Sequence, residues 1–223
     1  MRSHSTGNEK GITLIELLVV LIIFGVIVGG IYRVFIAQSK AYSVQDQVVE
    51  VQQTIRSAME MVLRDLRMAG FDNDSPNSRI TVATPLTPGD NTVTVSFEFD
   101  NTTRHTVTYA IGASMLTRQL TVTRDDGTST VNPPETLLEN VDALNFLYGL
   151  DQDENGIMDD RNGNGAIDDG DWVSAASIGT SKVVAARVTL TGRPEPINPD
   201  IQKMVSPRTL VSVVTLRNQC LIR

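Results

Sequence analysis

Lys10-Gly11-Ile12-Thr13-Leu14-Ile15-Glu16-Leu17-Leu18-Val19-Val20 opens an apolar run that continues to Ile31, and the layout of the whole chain follows from it. Between Ile12 and Ile31 the one strongly polar residue is Glu16. A helix rises 1.5 Å per residue, so the run covers about 30 Å, the hydrocarbon thickness of a bilayer. It reads as a membrane segment. A carboxylate inside such a segment costs about 3 kcal/mol on insertion scales, so Glu16 needs a charged partner. No small-x-small cleavage pattern follows the run, where Tyr32-Arg33-Val34-Phe35 stands, and this argues against a secretory signal peptide. Gly25 and Gly29, followed by Gly30, have the spacing that lets membrane helices approach closely.

Helical periodicity continues past the apolar run. Val44, Val48, Val51, Ile55, Ala58, Val62, Leu66 and Ala69 recur at intervals of three and four, with Gln45, Asp46, Glu50, Gln52, Arg56, Glu60, Arg64 and Arg67 on the other sides. No proline falls between residues 12 and 75, and Gly70 is the expected stop. One helix over residues 12–69 would be about 87 Å long.

After Gly70 the composition turns to Asn, Asp, Ser, Pro and Thr, and a loop is expected from Asp72 to Ser78. Strand-like runs follow at Ile80–Thr84, Thr92–Phe99, Thr106–Ile111 and Met115–Thr123, with clear alternation in Val93, Val95, Phe97 and Phe99. Asp125-Asp126-Gly127 marks a tight turn. Further strands are expected at Val141–Leu150, where Leu144, Phe146 and Tyr148 alternate, and at Lys182–Thr191 and Thr209–Leu216, the last two flanking a loop with Pro194, Pro196 and Pro199. The expected fold class is α+β, a long N-terminal helix packed on an antiparallel β-sheet domain. Four segments result: a leader at 1–11, a membrane helix at 12–31, its amphipathic continuation at 32–70, and a β-rich globular domain at 71–223.

The chain has 19 basic and 26 acidic side chains, a net charge of −7. Loss of residues 1–11 removes Arg2, Lys10 and Glu9, leaving 17 basic against 25 acidic groups and a charge of −8. So acidic a domain is a poor match for nucleic-acid binding, which usually shows a basic patch, and no nucleic-acid partner is expected. Cys220 is the only cysteine, which excludes an intramolecular disulfide and reads as a thiol buried near the C-terminus. The histidines are His4 and His105, without a nucleophile motif, phosphate loop or zinc spacing around them, so the chain does not read as an enzyme.

A second informative stretch lies in the last segment. Residues 151–159 and 160–168 align without a gap, pairing Asp151 with Asp160, Asp153 with Asn162, Asn155 with Asn164, Gly156 with Gly165 and Asp159 with Asp168. Calcium takes six to eight oxygens, and loops of the EF-hand type supply them from positions 1, 3, 5, 7, 9 and 12 with glycine at position 6. Counted from Asp160, those positions are Asp160, Asn162, Asn164, the Ala166 carbonyl, Asp168 and Asp171. Counted from Asp151, they are Asp151, Asp153, Asn155, the Ile157 carbonyl, Asp159 and Asn162, a set that ends more weakly and shares Asn162. No long amphipathic helices flank the loop, so it resembles dockerin and thrombospondin-type calcium repeats more than a helix-loop-helix. One or two Ca2+ ions are expected in the loop 151–171. Without an ion its eight Asp and Glu side chains would repel one another, so order is expected to come with binding.

The string Gly11-Ile12-Thr13-Leu14-Ile15-Glu16-Leu17 resembles the processing site of type IV prepilins and type II secretion pseudopilins. The resemblance implies that a membrane-embedded prepilin peptidase cuts between Gly11 and Ile12 and methylates the new N-terminus, and that Glu16 attracts the N-terminus of a neighbouring subunit during assembly. Ile12 stands where family members more often have Phe. Arg64-Asp65-Leu66-Arg67-Met68-Ala69-Gly70-Phe71 and Leu216-Arg217-Asn218 are similar to segments of PilW-type minor pilins and the related J-type pseudopilins. Expected partners are other minor and major pilins, the peptidase, an inner-membrane assembly platform and, before assembly, membrane lipid. The expected location is the inner membrane, crossed once with the C-terminal domain outside the cytoplasm, then a pilus or pseudopilus. Three roles follow as expectations: a minor pilin that initiates or caps a type IV pilus, a J-type minor pseudopilin of a type II secretion system, or a calcium-dependent adhesin on a pilin anchor.

Overall fold

The computed structural model describes residues 11–73, 78–194 and 205–220. The expected leader except Gly11, most of the loop expected at 72–78 and most of the proline-containing loop lie outside these residues. Contacts divide the chain into two compact units, residues 1–46 and 47–223.

The first unit carries the start of helix α1 (Leu14–Met68). Thr13 begins it: its Oγ1 accepts the amide of Glu16 at 3.3 Å, satisfying one of the donors a helix leaves free at its N-terminus. Every side chain from Ile12 to Tyr42 is exposed, so this apolar surface has no protein partner among the described residues.

In the second unit the same helix becomes one-sided. Val51, Ile55, Ala58, Val62, Leu66 and Ala69 of the expected stripe are buried, joined by Met59 and Leu63, and the eight polar positions of the expected outer face are all exposed. Val44 and Val48 are half-buried. Each fully buried aliphatic side chain contributes about 1.5–3 kcal/mol, so this stripe supplies most of the attachment of the helix to the sheet. Gly70 ends the helix with φ +73°, its amide donating to Ser96 of the sheet at 2.9 Å.

Among the described residues all strand pairings are antiparallel, and the strands form two sheets rather than one. The first runs β1 (Leu86–Pro88), β2 (Thr92–Asp100), β3 (Thr103–Gly112), β4 (Met115–Arg124) and β5 (Ser129–Val131), with β6 (Glu135–Leu138) also paired to β4. The second consists of β7 (Val141–Asp151), β8 (Lys182–Gly192) and β9 (Arg208–Thr215), after which the chain turns into a short helix, α2 (Arg217–Cys220). Tyr148 of β7 joins the sheets, its hydroxyl donating to the Gly89 carbonyl at 2.7 Å and accepting the Gly89 amide at 3.0 Å. The architecture is the α+β, pilin-like one expected.

Several local expectations change. Ile80–Thr84 is not a strand; the first strand is the three-residue β1, and the Thr81 carbonyl instead accepts Arg104 Nη1 at 2.9 Å. The alternation of β2 holds through Val93, Val95 and Phe97, which are buried, and fails at Phe99, which is 63% exposed. The pairing register shifts between Glu98 and Asp100, and Glu98 goes inside instead, where its carboxylate accepts the Asn73 amide at 2.6 Å and the Ser78 hydroxyl at 2.8 Å. Phe99 stacks on His105 with ring centroids 4.1 Å apart. The turn at Asp125-Asp126-Gly127 closes the β4–β5 hairpin as expected, with the Arg124 amide donating to the Thr128 carbonyl at 2.8 Å.

Candidate metal centre and N-terminal segment

The acidic loop leaves the end of β7 and returns to the start of β8, where Asp151 pairs with Lys182. Its two halves repeat in conformation as well as in sequence. Asp151 accepts the amides of Asn155 at 3.1 Å and Gly156 at 2.8 Å, and Asp160 accepts those of Asn164 at 3.3 Å and Gly165. Asn155 Oδ1 accepts the Ile157 amide at 2.8 Å, and Asn164 Oδ1 the Ala166 amide at 2.9 Å. Gly156 and Gly165 share φ values of +82° and +88°, which a side chain at the sixth position would resist. Each half therefore wraps its backbone around the first aspartate, and the nine-residue period has a physical basis.

The halves close differently. In the first, Asp159 Oδ2 accepts the Gln152 amide at 2.6 Å while the Asp159 amide donates to the Leu150 carbonyl at 2.8 Å, drawing the loop back to its own strand. In the second, Asp171 takes this part: it is fully buried and accepts the amides of Asp168 at 2.7 Å, Arg161 at 2.8 Å and Asn162 at 3.2 Å. The Asp168 amide, with those of Asn162 and Arg161, holds the Asp171 carboxyl below the usual carboxylate range although burial works against it. Arg187 of β8 secures the second half from the sheet, its Nη1 2.7 Å from Asp169 Oδ1 and its guanidinium 4.5 Å from the Trp172 ring centre.

Carboxylate oxygens of Asp151, Asp153 and Asp159 lie within 4.8 Å of one another, the one such acidic group among the described residues. Asp151 is buried, Asp159 half-buried and Asp153 exposed, so the group opens to solvent on one side. In the second half the carboxamides of Asn162 and Asn164 donate to Asp168, the former at 2.9 Å and the latter at 2.5 Å, and Asp171 is occupied by backbone amides. The half that looks weaker in sequence thus gathers the closer carboxylate group, because Asp153 stands where the second half has Asn162, and Asp168 is engaged by the carboxamides of Asn162 and Asn164. All these groups offer oxygen, and the loop contains neither His nor Cys. That donor set suits a hard cation such as calcium and not zinc or copper.

Two structural contacts went unread in the sequence. Asp65, 4% exposed, accepts the Tyr109 hydroxyl at 2.7 Å and Arg118 Nε at 3.0 Å. Asn218 of α2 reaches the end of α1, its Nδ2 3.3 Å from the Arg67 and Ala69 carbonyls and 3.5 Å from that of Met68. It therefore caps carbonyls that the helix cannot satisfy itself. Both residues lie in segments singled out by resemblance, and no local pattern announces their partners 44 and 149–151 positions away. The Thr13 cap, by contrast, had a signal: Thr-x-x-Glu is the spacing of a capping box.

At the N-terminus, Gly11 and Ile12 lie outside the helix and are exposed, and Glu16 stands in its first turn. α1 is long and apolar enough to cross a membrane. Residues 6–32 match the family model of the prokaryotic N-terminal methylation motif. This chain carries that motif. The methylation motif thus covers the Gly11–Ile12 bond, Glu16 and the exposed apolar half of α1. No curated protein matches the chain.

Proposed function

We propose that the chain is a minor pilin of the PilW type, cut by prepilin peptidase between Gly11 and Ile12, methylated on Ile12, and assembled through its N-terminal helix to initiate or cap a type IV pilus. The observation that carries this reading is the methylation motif at 6–32 opening directly onto a helix whose side chains are exposed through Tyr42 and one-sided beyond Val51. Such a surface has two suitable environments: lipid around residues 12–31 before assembly, and neighbouring helices of like kind afterwards. The new amino group of Ile12 is a cation, and pairing it with Glu16 of a neighbour removes two unpaired charges from a low-dielectric medium. Gly25 and Gly29 have open space where a Cβ would stand, which favours close approach of a second helix.

The globular domain, residues 71–223, holds one or two calcium ions in the loop 151–171. The first ion takes Asp151, Asp153, Asn155, Asp159, the Ile157 carbonyl and Asn162, which it shares with the second; the second takes Asp160, Asn162, Asn164, Asp168, Asp171 and the Ala166 carbonyl. In this assignment the ion replaces mutual repulsion of carboxylates by attraction, and its role is to order the exposed face of the subunit.

Deletion of the chain from its host tests the role. Loss of surface pili with enzyme secretion intact supports the pilus reading. Loss of secretion with pili retained transfers the chain to the type II pseudopilus as a J-type subunit, and a host unaffected in both overturns the assembly role.

A further inference from the structure

The C-terminal turn α2 lies between the acidic loop and the end of α1 and touches both. On one side, a Cβ on Gly156 would collide with the Cys220 carbonyl oxygen and come within 3.3 Å of its carbonyl carbon, so loop and turn meet backbone to backbone. On the other side, Asn218 caps the Arg67, Met68 and Ala69 carbonyls, and the Gln219 carboxamide fills the space that a side chain at Gly70 would need. The turn itself is keyed to β8, the Leu216 amide donating to the Val184 carbonyl at 2.8 Å. Gly156 is in turn positioned by Asp151, whose Oδ2 accepts its amide.

We infer that cation binding at Asp151, Asp153 and Asp159 is transmitted through Gly156, Cys220 and Asn218 to the C-terminal end of the long helix, so that calcium sets the order of the helix end as well as of the loop. The inference rests on the calcium reading of the loop. A ligand shifts an equilibrium only by binding one state better than another. The state with Asp151 turned toward Gly156 is also the state in which the tip of the loop backs the Cys220 carbonyl. When the loop carboxylates repel one another and the tip withdraws, the turn loses that backing, and the helix loses its cap with it. The helix end is the point where α1 joins the sheet through Gly70 and Ser96, so its order bears on how firmly the exposed domain is held by the assembling helix.

Hydrogen exchange on the full-length chain in detergent micelles, with calcium chloride or with chelator, tests the coupling. With calcium at a hundred times its Kd, full coupling slows exchange of the amides at 66–71 by about 100-fold, and at least about 10-fold is expected. Cys220, the chain's only thiol, gives a second readout, since its alkylation should slow in parallel. In Asn218→Ala, calcium should still bind by calorimetry and still protect Cys220, while the response at 66–71 disappears. Calcium protection of 151–171 in the unaltered chain with no change at 66–71 or at Cys220 overturns the coupling and leaves the calcium reading standing. Absence of calcium binding by calorimetry overturns both. A full response at 66–71 in Asn218→Ala overturns the route through that side chain.

Discussion

The Tyr109 hydroxyl donates to Asp65 at 2.7 Å, joining the last turns of the long helix to the middle of the six-stranded sheet. Arg118, on the neighbouring strand, completes the group with its Nη2 3.0 Å from the same carboxylate oxygen. Apolar burial attaches this helix, but apolar contacts tolerate sliding by a turn. A buried carboxylate with two fixed donors does not, so these three residues set the axial position of the helix on the sheet.

Removal of the carboxylate alone should therefore be costly. Asp65→Ala leaves Arg118, 17% exposed in its side chain, without its counter-charge and Tyr109 without its acceptor, and a loss of about 3–5 kcal/mol is expected. Adding Arg118→Met should restore part of that loss by removing the stranded charge. Urea unfolding of the full chain in micelles, followed by the fluorescence of its single tryptophan, Trp172, measures both. An Asp65→Ala chain as stable as the parent would show that the triad does not hold the helix.

Alkaline pH should weaken the same region. Burial, with the neighbouring Asp65 carboxylate, raises the Tyr109 phenol far above its usual range, and burial brings Tyr148 to about 12. The native state keeps these protons above pH 10 while the unfolded chain loses them. Stability is therefore full below about pH 10 and falls above it, by up to about 1.4 kcal/mol per pH unit for each tyrosine. Tyr109→Phe should flatten the fall while lowering stability at neutral pH through the lost hydrogen bond. A pH-independent unfolding midpoint between 9 and 11.5 contradicts this account.

Calcium should protect the loop from proteolysis, and the two halves can be separated by substitution. Asp160→Ala with Asp168→Ala should abolish binding in the second half, and Asp151→Ala with Asp159→Ala in the first. Calorimetric stoichiometry then reads one ion fewer in each double variant if both halves bind. Unchanged binding in both variants eliminates the loop as the site.

If the chain is cut between Gly11 and Ile12 as proposed, maturation should depend on Gly11. Gly11→Val should leave the full-length chain in the membrane, heavier by residues 1–11 and without a methylated Ile12. Intact-mass measurement of the purified chain decides it, and a normal mature mass in the variant would move the cleavage site elsewhere.

Much of the fold was legible because it rests on periodicity. The stripe from Val51 to Ala69 lies where a 3.6-residue repeat puts it, and Leu144, Phe146 and Tyr148 alternate into the core as a strand should. The short strands β5 and β6 carry too few residues for alternation to register, and Ile80–Thr84 has strand composition without a partner strand among the described residues. Phe99 shows the limit of local pattern: a register shift of the chain against β3 sends an aromatic outward and a glutamate inward. In the acidic loop the nine-residue repeat was readable from spacing, but the different closure of its two halves was not. Which half gathers three carboxylates depends on how the chain closes against Leu150 in one case and Asp171 in the other.

By itself, the amino-acid sequence determined the membrane-length run from Ile12, the methylation-motif pattern around Gly11 and Ile12 with its lone Glu16, the helix that continues to Gly70, and the nine-residue acidic repeat. All of these are written in neighbouring residues, where backbone geometry and hydropathy act over a few positions. Only the tertiary structure decided that the strands divide into two sheets, that Asp65 meets Tyr109 and Arg118, and that the last described turn carries Asn218 to the end of the helix while backing the acidic loop. These contacts join residues dozens to more than a hundred positions apart. The Asp65 and Asn218 contacts exist because a buried charge and an open helix end must find partners, and only the folded chain brings them within reach.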